Sequence, residues 1–144
     1  MTNFQDISAS IVTKLGGISG LNGVYDYEIP EPTSGKYPFA TVTPKAIDGL
    51  PGDLNRNIRT YSFSVRVYQE RTAIGAGNSK AERLIREMTD EITTAFDADI
   101  TLSGRVLYVK PIKGDFSYVD REIGDTRIAE FTIETVNAQN ALQA

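Results

Sequence analysis

Residues Arg59 to Val67 read R-T-Y-S-F-S-V-R-V, and this stretch decides the fold. Side chains alternate along an extended chain, so Tyr61, Phe63, Val65 and Val67 fall on one side while Thr60, Ser62, Ser64 and Arg66 fall on the other. The pattern predicts a strand with one apolar face for a core and one polar face. A short Gly-containing loop, Thr72 to Gly77, follows, and then the period changes. Ala81, Leu84, Ile85, Met88, Ile92, Ala95 and Phe96 recur at helical spacing within Ser79 to Phe96. Each of these two faces needs an apolar partner, which predicts a sheet with a helix laid across it.

The elements on either side extend the pattern. Phe4, Ile7, Ile11 and Leu15 make an amphipathic first helix, with Asp6 in the positive first turn, Lys14 in the negative last turn and Gly16-Gly17 placed for a left-handed stop. Val24 to Glu28 reads as a short edge strand ended by Pro30 and Pro32, which cannot donate to a ladder. Tyr37 to Thr43 reads as a strand with Phe39, Thr41 and Thr43 on one face and Ala40 and Val42 on the other. Pro44 to Asn57 is rich in turn formers, among them Gly49, Pro51, Gly52, Asp53 and Asn55, and is expected to be an irregular loop. A long strand near 58–69 comes next, then the second helix, with Ser79 and Glu82 in capping-box relation and outer-face pairs Glu82/Arg86 and Arg83/Glu87. Arg105 to Ile112 is expected as a strand, with Val106, Tyr108 and Lys110 opposite Leu107 and Val109. Lys113 to Gly124 should turn, and Thr126 to Val136 should close the sheet, with Phe131 and Ile133 opposite Glu130, Thr132 and Glu134. The order is α-β-β-β-α-β-β, an α+β fold with a mostly antiparallel sheet of about four to five strands and two helices packed on it.

At 144 residues with 40% apolar composition the chain suits one domain over 1–144, with 137–144 expected as a frayed tail. No run of about 18 apolar residues and no basic-then-apolar amino terminus is present, so the expectation is a soluble protein of a cytoplasmic compartment, without a membrane partner. The absence of both cysteine and histidine removes thiolate nucleophiles, the commonest general base and most zinc ligand sets. Net charge is -4, and the excess of acids lies wholly in the second half: residues 1–72 carry seven acids and seven bases, residues 73–144 twelve and eight. That balance opposes sequence-independent phosphate binding.

Three constellations invite chemistry and each has a plainer reading. Gly75-Ala76-Gly77-Asn78-Ser79-Lys80 precedes a helix but lacks both the P-loop spacing and the third glycine of a dinucleotide fingerprint, so it reads as an ordinary helix start. Asp115, Asp120, Glu122 and Asp125 gather in one segment without the calcium-loop order, and read as solvated acids. Asp97 and Asp99 form a D-x-D pair that reads as a helix terminator. With no converging acid and base, the chain is expected not to be an enzyme and to need no cofactor and no metal. The polar face from Thr60 to Tyr68 either meets solvent or meets the same surface of a neighbouring copy.

Pro38-Phe39-Ala40-Thr41-Val42, a variable loop, Thr60 to Tyr68, a short Gly loop, the helix Ala81 to Phe96, a Tyr-bearing strand and a last strand containing Phe131-Thr132-Ile133-Glu134 together resemble the tail-completion and tail-terminator proteins of long-tailed bacteriophages. The likeness runs along nearly the whole chain in element order and length. It implies a non-enzymatic virion protein of the tail or neck, assembled in the host cytoplasm. In that family the subunits form a six-fold ring that caps the head-proximal end of the tail tube, ends its growth and offers the surface onto which the head docks. The implied partners are further copies of the chain, the tube protein, and a head-completion or stopper protein, with DNA passing through without sequence-specific binding. Rings close through heterologous contacts, in which two different patches meet. Pro44 to Asn57 is the expected source of one patch, with Leu50 and Leu54 as apolar anchors beside Asp48, Asp53 and Arg56. Asp115, Asp120, Glu122, Asp125, Glu130 and Glu134 are expected to include lumen acids, whose like charge would keep DNA from sticking. Rival readings are a head-tail stopper, a tube subunit or a stand-alone binding module.

Overall fold

The computed structural model describes residues 4–27, 38–51, 56–71, 77–119 and 125–140. The elements run α1 (Phe4–Gly16), β1 (Gly23–Tyr25), β2 (Phe39–Pro51), β3 (Arg56–Arg71), α2 (Gly77–Asp97), β4 (Tyr108–Val109), β5 (Lys113–Val119) and β6 (Asp125–Asn140). The fold is α+β, with both helices on one sheet of order β1-β2-β3-β6-β4, and β5 beside β4 on the same flank of β6. Every pairing is antiparallel except β1 with β2, so the sheet is mixed.

The central pair is β3 and β6, in register without a slip from Arg56↔Asn140 to Arg71↔Asp125. Its helix-facing side carries Tyr61, Phe63, Val65 and Val67 from β3 and Ala129, Phe131 and Ile133 from β6, as alternation requires. Ala40 and Val42 of β2 continue the same face. Ile7, Ile11 and Leu15 of α1 and Ile85, Met88, Ile92 and Phe96 of α2 complete the core. Phe4 sets its ring edge-on to Tyr61 and Phe63, at centroid distances of 4.7 and 5.4 Å.

The opposite face is not uniformly wet. Phe39 stacks on Tyr68 at 4.8 Å, and with Ile128 they form a second, small apolar cluster. Thr41 and Ser62 on that face are buried too. An extended sheet of right-twisted strands curls, and the concave part of its second face shields residues that alternation alone assigns to solvent.

Several elements differ from the expectations of sequence. The stretch Pro44 to Asn57 is mostly strand: β2 runs to Pro51 and β3 begins at Arg56, and residues 52–55 lie outside the described residues. Its prolines are tolerated because β2 is an edge strand beyond Thr41, where β1 stops, and because the register shifts between Pro44 and Ala46. Lys113 to Val119 is likewise strand rather than turn, and Arg105 to Ile112 shrinks to the two residues of β4. Against β6 the chain bulges, since the Leu107 amide donates to the Val136 carbonyl and the Lys110 amide to the Glu134 carbonyl, three residues against two, so the expected alternation fails: Val106 and Val109 are buried while Leu107 and Tyr108 are exposed. The carboxyl end keeps its pairing through Asn140, four residues into the segment expected to fray.

Turn chemistry also departs from expectation. Gly16-Gly17 does not make a left-handed stop; the Gly17 and Ile18 amides instead donate to the Lys14 and Leu15 carbonyls, and the tight turn carries Ile18 into the core. The left-handed residues are Leu102 (φ 48°), Ser103 (φ 59°) and Gly104 (φ 85°). Asp99 holds this strained turn, since its Oδ1 accepts the Ser103 amide at 2.9 Å, and Leu102 is thereby pushed into the core. Lys14 joins the two helices there, with Nζ 3.1 Å from Asp99 Oδ2 and 3.4 Å from the Ala95 carbonyl. The Ser103 amide and then Lys14 hold the Asp99 carboxyl below the usual carboxylate range. The D-x-D pair is therefore a terminator and a joint. Ser79 of the expected capping box lies inside α2, which already begins at Gly77, and the Gly75-Ala76 loop lies outside the described residues.

Candidate functional site

Strands are long for their width, and this creates the most distinctive surface. A 13-residue helix spans about 20 Å at 1.5 Å per residue, while a 16-residue strand reaches about 50 Å at 3.3 Å per residue. Phe4, the first residue of α1, already sits over Tyr61 and Phe63. The rows beyond Tyr61 form a three-stranded arm of β2, β3 and β6, in which Asp48↔Thr60↔Val136, Leu50↔Ile58↔Ala138 and Pro51↔Asn57↔Gln139 are in register.

Exposed apolar side chains gather at this end. Among the described residues seven large apolar side chains are exposed, and five of them, Ile47, Ile58, Ile100, Leu107 and Tyr108, lie here, each at least 36% exposed. Ile47 pairs with Tyr61, Tyr108 with Val136, the Leu107 amide donates to the Val136 carbonyl, and the Val109 amide donates to Ile100. Ile47, opposite Tyr61, stands on the helix-facing side and Ile58 on the other, so this end of the sheet exposes apolar side chains on both faces.

Of the contact residues expected from sequence, Asp48 and Leu50 lie on β2 and Arg56 opens β3, so the structure brings these three to the arm. Asp53 and Leu54 lie outside the described residues. Ile47, Ile58 and Tyr108 were not singled out by the sequence reading. A usable signal was there for Ile58, which stands opposite Leu50 across the Gly- and Pro-rich turn, as hairpin partners do.

The expected lumen acids divide. Asp115 sits on β5 opposite Glu130, and Asp125 is the first residue of β6, paired with Arg71 at the other end of the sheet from the arm. Asp120 and Glu122 lie outside the described residues. Glu130 and Glu134 are engaged by cations: Arg66 Nε donates to Glu130 Oε2 at 2.6 Å, and Lys110 Nζ lies 3.1 Å from Glu134 Oε2. Arg66 holds the Glu130 carboxyl below its ordinary range, against the opposing effect of burial, with a smaller contribution from Lys45. Lys45 Nζ itself donates to Thr132 Oγ1 at 3.1 Å. The polar face is thus a lattice of mixed charge at this level of assembly, with its acids locally compensated.

A cleft of about 310 Å³ lies between α1 and the turn after α2, lined by Ser10, Thr13, Lys14, Asp99 and Arg105 among others. Its polar groups serve the fold: Ser10 and Thr13 hydroxyls donate to the Asp6 and Ala9 carbonyls, and Lys14 pairs with Asp99. Among the described residues no three His, Cys, Asp or Glu side chains are placed to hold a metal ion, and no helix is long and apolar enough to cross a membrane.

No protein-family model matches this chain, and no curated protein sequence does. The fold, however, is shared with a solved structure, a chain from the virion of a native gene transfer agent particle, with a TM-score of 0.56 and 14% identity over 92% of this chain and 95% of that one.

Proposed function

We propose that this chain is a structural protein of a phage-like virion that closes into a ring at the head-proximal end of a tail tube, ending tube growth and presenting the surface for head docking. The observation that carries the reading is the uncovered arm, with five exposed apolar residues at one end of a sheet whose opposite end is apolar and buried. Such an arrangement is costly in an isolated molecule and useful in one whose copies cover each other. Two supports stand beside it: near full-length likeness of fold to a virion chain, and the resemblance of element order to tail terminators.

In this proposal the arm enters the neighbouring subunit, with Leu50 and Leu54 as anchors and Asp48, Asp53 and Arg56 at the rim of the contact. Asp120, Glu122 and Asp125 face the lumen, which DNA crosses without sequence-specific contact. The partners are further copies, a tube protein and a head-completion or stopper protein. No bond-making step and no cofactor is part of the role.

The test is electron microscopy of the purified protein, alone and with its own tubes. Rings that cap tubes of uniform length support the proposal. A protein that stays solitary beside those tubes, or that polymerises into tubes itself, overturns it, the latter outcome favouring a tube subunit.

A further inference from the structure

Two long stretches of the sheet lie at its edges, β2 beyond the short β1 and β5 beside β6, and they are not equally open. The edge of β2 beyond Thr41 is guarded by Pro44, a register shift at Lys45, Gly49 and Pro51, devices that prevent another strand from adding. The edge of β5 carries neither a proline nor a register shift. Its seven residues, K-G-D-F-S-Y-V, pair with β6 without a slip, contain no proline, and have no strand on their other side among the described residues. Lys113, Gly114, Asp115 and Phe116 are all exposed.

From this edge we infer that β5 pairs antiparallel with β5 of a second copy about a two-fold axis at Gly114. In that register Lys113 of each copy stands opposite Asp115 of the other, so two opposite-charge pairs form at once. Both residues belong on the face away from the helices, opposite Thr132 and Glu130. Ile112 falls opposite Phe116 of the second copy, and both belong to the helix-facing side, where Ile112 packs on the core and Phe116 pairs with Ala129. Residues directly opposite in antiparallel strands share a face, so all four cross-axis pairs match in character. A shift of one residue either way would place lysine opposite glycine or phenylalanine and lose every pair. Gly114 suits the axis because its α-carbon already crowds the sheet beneath: a Cβ there would stand 2.8 Å from Phe131 Cδ1.

This contact uses a surface separate from the apolar arm and is isologous, whereas ring closure is heterologous, so either can fail without the other. The chain has no cysteine, which permits a register-specific test. Lys113→Cys and Asp115→Cys proteins, mixed under mild oxidation, should cross-link to each other at least tenfold faster than either links to itself, since directly opposite Cα atoms lie within disulfide reach. Asp115→Lys should weaken self-association at least tenfold with an unchanged melting temperature, and the exchange Lys113→Asp with Asp115→Lys should restore it. Equal cross-linking in mixed and single samples, a wild-type mass of 15.8 kDa at every concentration, or association indifferent to Asp115→Lys would each overturn the pairing.

Discussion

Gly114 shows how one residue sets the spacing of two strands. A Cβ at this position would meet the Phe131 ring at 2.8 Å and the Glu130 carbonyl at 3.1 Å, and Phe131 is nearly fully buried. Gly114→Ala is expected to destabilise the fold by about 1–3 kcal/mol, because an overpacked core side chain cannot retreat. Chemical denaturation measures this, and unchanged stability would show that Phe131 has room to turn. Asp99 supplies a pH dependence of definite sign. Its carboxyl is held below its ordinary range, so the stabilisation is present above the pKa of the unfolded chain and is lost as pH falls through the lower folded value. Asp99→Asn keeps an acceptor for the Ser103 amide but removes the charge facing Lys14. The gap in thermal midpoint between the wild type and this variant should therefore be constant near neutrality and close on acidification. A gap that persists in acid would assign the effect to the hydrogen bond instead.

Among the elements, the arm separates folding from assembly. Ile58 lies beyond the rows that α1 covers and the exposed Ile47 stands at their edge opposite Tyr61, so Ile47→Lys and Ile58→Lys should change stability by less than about 0.5 kcal/mol while abolishing ring formation. Melting curves and particle images of the same preparations check both halves. Loss of the fold with the assembly would show that the arm is part of the core. The converse holds for α1: Phe4→Ala removes the ring that closes the core over Tyr61 and Phe63, and a cost of about 1–3 kcal/mol is expected at this half-buried position, below the full-burial range. A cost near zero would mean that the last turn of core does not depend on the helix end.

For the whole molecule, the proposed lumen acids give a prediction of a different kind. Charge reversal at Asp125 should leave rings and tube capping intact yet slow DNA passage, since cations along the channel would hold phosphates. Ejection measured on assembled particles decides this, and an unaltered rate would place this acid away from the DNA. Much of the fold was legible from residues alone. The alternation from Tyr61 to Val67 and the helical recurrence from Leu84 to Phe96 each report which face is buried, and local periodicity is a property of the chain itself. The strand character of 44–51 was hidden because proline and glycine mark turns in a free chain, and only an edge position with a register shift makes them acceptable in a ladder. The bulge between Leu107 and Lys110, where Leu107 and Tyr108 both turn outward, depends on where β6 lies alongside, a fact no local window contains. So the sequence by itself determined the two helices, the central strands, the α+β class and their apolar faces, since these follow from the spacing of side chains along one chain. Tertiary structure alone decided how far the sheet outruns its helices, and with it which apolar residues remain uncovered for another molecule, because that depends on distances between segments far apart in sequence.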